Sequence, residues 1–322
     1  MTHSRTSEML LGALVSDAAC LGLHWLYDAE RIAEITACQD GDCAFTPVDA
    51  ANFEGTKGYF AHGARAPGSL TQYGEVLRLA IARMAANNGN FDTATYQDAF
   101  AAFFGPGGAY NGYIDRPTRG ALDNIANEVS PPGIDDDQNP AVARLPAIIA
   151  RYQHDAQRDA KIAEAMQVTN VNDVGLAYNR MFADVLSDVM EGKPILDALQ
   201  QGVQNAPALI KSETAHALST SESNSTVFAG EVGRACHLPT AGPVVFHILK
   251  HSKTYAEAIN ANILAGGDSA GRSIMVGAIM GAAHGLSTPK GIPLAWVLKL
   301  KDAGDIWGDC TQLGTCVTGD GA

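Results

Sequence analysis

Asp17 and His24 stand seven residues apart in SDAACLGLHWLYD, and on a continuous helix that spacing puts a carboxylate and an imidazole on one face. A carboxylate that orients an imidazole is an acid/base unit, able to move a proton to or from a reacting group. The competing reading is an aspartate bonded to nearby backbone and a histidine satisfied in a core that Trp25 and Tyr27 help to fill. Asp136 and Asp137 belong to a run of three aspartates in GIDDDQNPAVARLP, just ahead of Asn139 and Pro140. Such a run is either a solvated loop or a charge cluster that can face a developing positive charge. The third candidate is ILAGGDSAGRSIMVGAIMGAAHG, from Ile263 to Gly285. Here Gly266 and Gly267 can end one helix in left-handed geometry, and Asp268 or Ser269 can cap the next. An exposed helix start carrying Ser269 and Arg272 would hold a phosphate or diphosphate. A capped helical hairpin with an ordinary Asp268–Arg272 pair uses the same residues without any ligand.

The elements that must position these groups are helical. Leu10, Leu11, Leu14, Val15 and Ala18 share one face, and Leu77, Ala80, Ile81 and Met84 repeat the spacing. Further polar helix starts are marked by Ser69, Thr71 and Tyr73 in PGSLTQYGEVLRLA, by Asp115 before Arg116-Pro117, and by Asn172 in VTNVND. Ser69 and Gln72 have capping-box spacing, and Asn139 is placed to cap the helix that Pro140 opens. Loops rich in Gly, Pro and Asp separate the helices at 38–68, 105–112 and 130–140. No alternating run is long enough for a strand beyond a stub at Thr226–Val227–Phe228, and the glycine-rich tail after Lys301 shows no period. The expectation is one all-α, compact, multi-helix domain over residues 1–322, with about ten to fourteen helices of ordinary length. Gly277, Gly281 and Gly285 recur every fourth residue, a strip that lets a neighbouring backbone approach closely. That helix is expected at the centre, with the polar starts gathered around one pocket.

The 322 residues are 46% hydrophobic and 18% charged, enough for a sizeable core. A net charge of -13 argues against general affinity for nucleic acid or anionic lipid, while leaving room for a local pocket for one small anionic ligand. The N-terminus lacks a signal-peptide pattern, and the run Ile274–Ala283 is too short to cross a bilayer. Six cysteines at 20, 38, 43, 236, 310 and 316 match no zinc spacing and read as reduced thiols of a cytoplasmic protein.

LLGALVSDAACLGLHWLYD, DDDQNPAVARLPAIIA and AINANILAGGDSAGRSIMVGAIMGAAHG, in that order, resemble the ADP-ribosylglycohydrolase family, and most nearly its branch of selenoprotein J and the J-crystallins. The resemblance runs from about Leu10 to Gly285. It implies an all-α fold, a cleft for ADP-ribose or an ADP-ribosylated substrate, and usually two magnesium ions. In the family those ions are held by a Thr-Asp-Asp segment before an early helix and an Asp-x-Asp-Thr segment after two late glycines. This sequence reads Leu70-Thr71-Gln72-Tyr73 at the first place; at the second it keeps Asp268 but has Ala270 and Gly271 where an aspartate and a threonine belong. Magnesium needs several hard oxygen ligands, so the usual metal set is not expected here. Asp17 matches the family's early aspartate, and His24 falls where some members carry a catalytic carboxylate. The resulting expectation is a protein that binds or hydrolyses an ADP-ribose-type nucleotide sugar. Asp17 or His24 would manage the proton, and Asp136 or Asp137 would stabilise charge on an oxocarbenium-like sugar. Ser69, Thr71, Tyr73, Asn139, Asn172, Gly266, Gly267, Asp268, Ser269 and Arg272 would bind the ligand. The alternatives are a non-catalytic, crystallin-like homologue and a ribosyl hydrolase that works without metal.

Overall fold

Ser4 caps the first helix, its hydroxyl accepting from Ser7 N at 3.2 Å, and α1 (Arg5–Cys20) then runs with nearly every side chain buried. A helix apolar all round belongs in the middle of a larger protein. The computed structural model describes residues 4–39 and 41–318. A single 3-10 turn (Leu21–Leu23) leads from α1 toward α2 (Ala29–Ala37), which Asp28 caps. A long irregular segment then reaches α3 (Gln72–Ala86), α4 (Thr93–Phe104) and α5 (Arg116–Ala126), capped by Thr71, Asp92 and Asp115. A 3-10 turn (Asn139–Val142) precedes α6 (Leu145–Tyr152) and α7 (Arg158–Met166). Next come α8 (Asp173–Met190), capped by Asn172, α9 (Ile195–Asn205), α10 (Ala208–Ser219) and α11 (Ser225–Val232). The chain closes with α12 (Leu238–His251), α13 (Tyr255–Leu264), α14 (Ser269–His284), α15 (Leu294–Val297) and α16 (Ala303–Thr318).

The centre is α1 lying against α14. α3, α6 and α16 pack on the α1 side, whereas α8, α12 and α13 pack on the α14 side. α4 and α7 cover the first group, and α9 and α10 cover the second. The glycine strip works as its spacing suggests. A Cβ placed on Gly277 would lie under 3.0 Å from Ser16 Oγ and the Gly12 carbonyl, and one on Gly281 under 3.0 Å from the Glu8 carbonyl. Ser16 Oγ donates to Ser273 O at 2.8 Å, and Tyr255 OH donates to Gly12 O at 2.5 Å, so the close approach is also hydrogen-bonded. The segment Arg5–Leu23 is long and apolar enough by composition to cross a membrane, contrary to the sequence reading of the apolar runs, but 94% of it is buried in this core.

Several local expectations give way. Thr226, Val227 and Phe228 lie in α11 rather than in a strand stub, and among the described residues only isolated bridges form. The tail is helical through α16, where Ile306, Cys310 and Leu313 are fully buried. Those residues are four and three apart, a helical face that the glycines obscured. There are sixteen α-helices among the described residues, more than expected, because several short polar ones carry little periodicity. Thr71, not Ser69, caps α3, and Asn139 opens a 3-10 turn with Gln138 at the cap position. All six cysteines are free thiols.

Candidate functional site

The helix α1 stops at Cys20, so Asp17 and His24 do not share a helical face. The turn Leu21–Leu23 intervenes and His24 is extended, with φ -61° and ψ 130°. Asp17 faces the start of α3, where its carboxylate accepts from Thr71 N at 2.6 Å and Thr71 Oγ1 at 2.5 Å. It is fully buried, and burial, offset in part by those bonds, pushes its carboxyl up to about 7. Asp17 therefore anchors the α3 cap from behind instead of working beside His24.

His24 turns the other way. Its Nε2 lies 2.8 Å from Asp268 Oδ1 and its Nδ1 lies 2.6 Å from His62 Nε2. Gly266 and Gly267, at φ 73° and 67°, make the left-handed turn that presents Asp268 as the cap of α14. Gly267 N donates to Leu26 O at 2.7 Å, and Trp25 N donates to Gly267 O at 2.8 Å, so the two chain segments are stitched together. Trp25 itself holds φ 65°, a strained region for a bulky residue, and its ring lies 4.5 Å from that of His24 and 4.9 Å from that of Tyr113.

Asp268 is the hub. Besides His24, it accepts from Gly271 N at 3.0 Å, Asn139 Nδ2 at 2.8 Å and Tyr73 OH at 3.1 Å. Burial raises the Asp268 carboxyl, but the hydrogen bond with His24, the Asn139 amide and the Arg272 guanidinium overcome it and hold it below its ordinary value. Burial and the adjacent Asp268 charge push the Tyr73 phenol well up, so it stays a donor. Burial, together with the neighbouring His24 ring and the Arg65 guanidinium, holds the His62 imidazole well below its usual value.

A second tier of helix starts joins this hub. Gln72 donates to Thr118 Oγ1 at 3.0 Å and accepts from Asp115 N at 2.5 Å, tying α3 to α5. Arg116 pairs with Asp136 at 2.9 Å, and Asn170 Nδ2 donates to the Asp136 carbonyl at 2.9 Å. Asn172 donates to Asp135 at 2.7 Å, and Asp137 lies 2.5 Å from His237, which caps α12. Asn139 N donates to Cys236 O at 2.9 Å. The starts of α3, α5, α8 and α14 therefore meet in one region, as their polar caps suggested, and the start of α12, which the sequence did not mark, joins them.

Two expected binding features differ. The start of α14 is not exposed: Ser269 and Arg272 are buried, and Arg272 bonds Asn262 Oδ1 at 2.9 Å and Gly266 O at 2.6 Å rather than Asp268. That arginine secures the α13–α14 turn from inside and presents no free fork to a phosphate. Ser69 is also buried, and it lines a separate cavity with Arg65, Glu75 and Arg78. Sequence reasoning missed His62 altogether, since it sits alone in the irregular 38–68 loop with no local pattern to single it out.

The side chains around Asp268 do not suit paired magnesium ions. A hard cation needs a shell of oxygen acceptors. Here each Asp268 oxygen faces hydrogen donors, and the positions of the family's early acids hold the Gln72 amide and the Tyr73 phenol. Tyr73 OH reaches directly to Asp268 Oδ2, closing the distance an ion would span. Among the described residues no three of His, Cys, Asp and Glu are grouped to hold a metal.

The sequence matches the family model described as ADP-ribosylglycohydrolase over residues 1–319. The chain belongs to the ADP-ribosylglycohydrolase family. It is 25% identical to Crystallin J1A of Tripedalia cystophora over 316 residues, covering 94% of each chain. It is 23% identical to Crystallin J1B of the same organism over 309 residues, covering 92% of this chain and 91% of the relative. A solved chain described as an ADP-ribosylglycohydrolase-related protein complex superposes with a TM-score of 0.71 at 15% identity over 98% of both chains, which establishes the shared fold.

Proposed function

We propose that this family member binds an ADP-ribose-type nucleotide sugar at the shared tips of α3, α5, α8, α12 and α14, without the paired magnesium ions usual in its relatives. The observation that carries the reading is the four-donor shell on Asp268, drawn from His24, Tyr73, Asn139 and Gly271. It keeps the aspartate of the late family motif in place while filling the positions of its metal partners. The overall charge of -13 leaves room for a local site for one anionic ligand where cationic side chains are exposed. Arg116 and His237 are both largely exposed there, at 66% and 52% side-chain exposure, and offer cationic and polar contacts to a diphosphate. Isothermal titration with ADP-ribose tests the reading. Equal heat with magnesium and with a chelator is the expected result, and no heat at millimolar ligand in either buffer would sink it.

The second reading is a non-catalytic, crystallin-like homologue. It is favoured by full-length similarity to two crystallins and by the burial of His24, which is 2% exposed. A protein with no ADP-ribose heat, no turnover of ribosyl substrates and high stability at high concentration would fit it better.

A further inference from the structure

Beside the Asp268–His24 pair lies a small cavity bordered by His24, Trp25, His62, Tyr73, Tyr113 and Asp115. It leaves about 10 Å³ free, close to the room one water molecule needs. Two residues on its wall each bring a buried atom with no hydrogen-bond partner: Nδ1 of His62, 3% exposed, and Oδ2 of Asp115, 5% exposed. Leaving one such atom unpaired costs about 1–3 kcal/mol, so two around one gap call for a shared occupant. His62 is further tied through Nε2 to His24 Nδ1, and His24 through Nε2 to Asp268, so three side chains form a continuous line ending in the cavity.

We propose that this cavity holds one water molecule bridging His62 Nδ1 and Asp115 Oδ2, and that Asp268, His24 and His62 form a proton relay serving it. The relay supplies the acid/base chemistry that metal-bound water supplies in metal-dependent hydrolases. A single proton lies between the two imidazole rings. When the water gives a proton to His62 Nδ1, the proton on His62 Nε2 passes to His24 Nδ1. A hydroxide then remains in the cavity, and a His24 imidazolium faces the Asp268 carboxylate, so charge and protons balance. A neutral water suits this site, because it can donate one hydrogen to the unpaired His62 Nδ1 and the other to Asp115 Oδ2. The inference rests on the metal-free reading of the site, yet it concerns the ligand-free protein, so loss of ADP-ribose binding alone leaves it standing.

The test is a crystal structure of the ligand-free protein near 1.5 Å, with parallel crystals soaked in manganese. The expected result is a water peak within hydrogen-bond distance of both His62 Nδ1 and Asp115 Oδ2, with no anomalous signal there after the soak. An empty cavity, or manganese in it, overturns the proposal. Asp115→Asn should keep the water and Asp115→Leu should expel it. If the leucine variant fails to fold, a through-hydrogen-bond 15N–15N coupling between His24 and His62 in the natural protein decides the relay, and its absence refutes it.

Discussion

Replacing Asp17 by asparagine should change how stability depends on pH, and by a predictable amount. Asp17 is wholly buried and accepts two hydrogen bonds from Thr71. Its carboxyl titrates near 7 in the folded chain, against 3.8 when free of the fold. Between those values the folded state holds a proton that the unfolded state has released, so stability falls as pH rises. The penalty is absent below about pH 4 and complete above about pH 7. Roughly three pH units at about 1.4 kcal/mol each cost about 4 kcal/mol. Asparagine copies the protonated acid: its carbonyl can accept from Thr71 N, and its amide can donate to Thr71 Oγ1. Asp17→Asn should therefore match the natural protein in acid and exceed it by up to about 4 kcal/mol above neutrality. Urea unfolding of both proteins from pH 5 to 8.5 measures this directly. The difference should climb by about 1.4 kcal/mol per pH unit up to about pH 7 and then level off. A flat difference, or an asparagine variant weaker at alkaline pH, would refute the burial argument.

Gly277→Ala should destabilise the fold by about 2 kcal/mol or more, since overpacking against Ser16 and Gly12 outweighs the helix-propensity gain of about 1 kcal/mol; chemical denaturation reads it. Tyr73→Phe should cost about 1.5–3 kcal/mol by removing a buried bond to the Asp268 carboxylate, again measured by urea unfolding. His237→Ala should shift stability by less than about 1 kcal/mol, because its pair with Asp137 is largely exposed, while weakening ADP-ribose heat in titration calorimetry. Thermal melting should be unmoved by millimolar magnesium and by chelator alike. A rise of several degrees with magnesium would show a folded-state metal site.

The helices and their caps were legible because both are local. The 3.6-residue spacing of Leu10, Leu14 and Leu77, Ile81 reports a buried face whatever it packs against, and Asp268 capping α14 follows from its own neighbours. The glycine strip likewise announced a close helix crossing, though not that Gly12 of α1 would meet it. Where short-range signals conflicted, the reading failed. The glycines of the tail hid the Ile306, Cys310 and Leu313 face of α16, and the seven-residue spacing of Asp17 and His24 assumed a helix that ends between them.

What the sequence alone determined is thus the all-α class, most helix starts and the missing early acids of the metal motif. Only the tertiary structure decided the chemistry around Asp268, because its partners lie far along the chain: His24 at a separation of 244 residues, Tyr73 at 195 and Asn139 at 129. His62, 38 residues from His24, had no pattern of its own to mark it. Capping and periodicity act within a turn or two, whereas a hydrogen-bonded hub depends on where packing brings distant loops, and no local spacing encodes that.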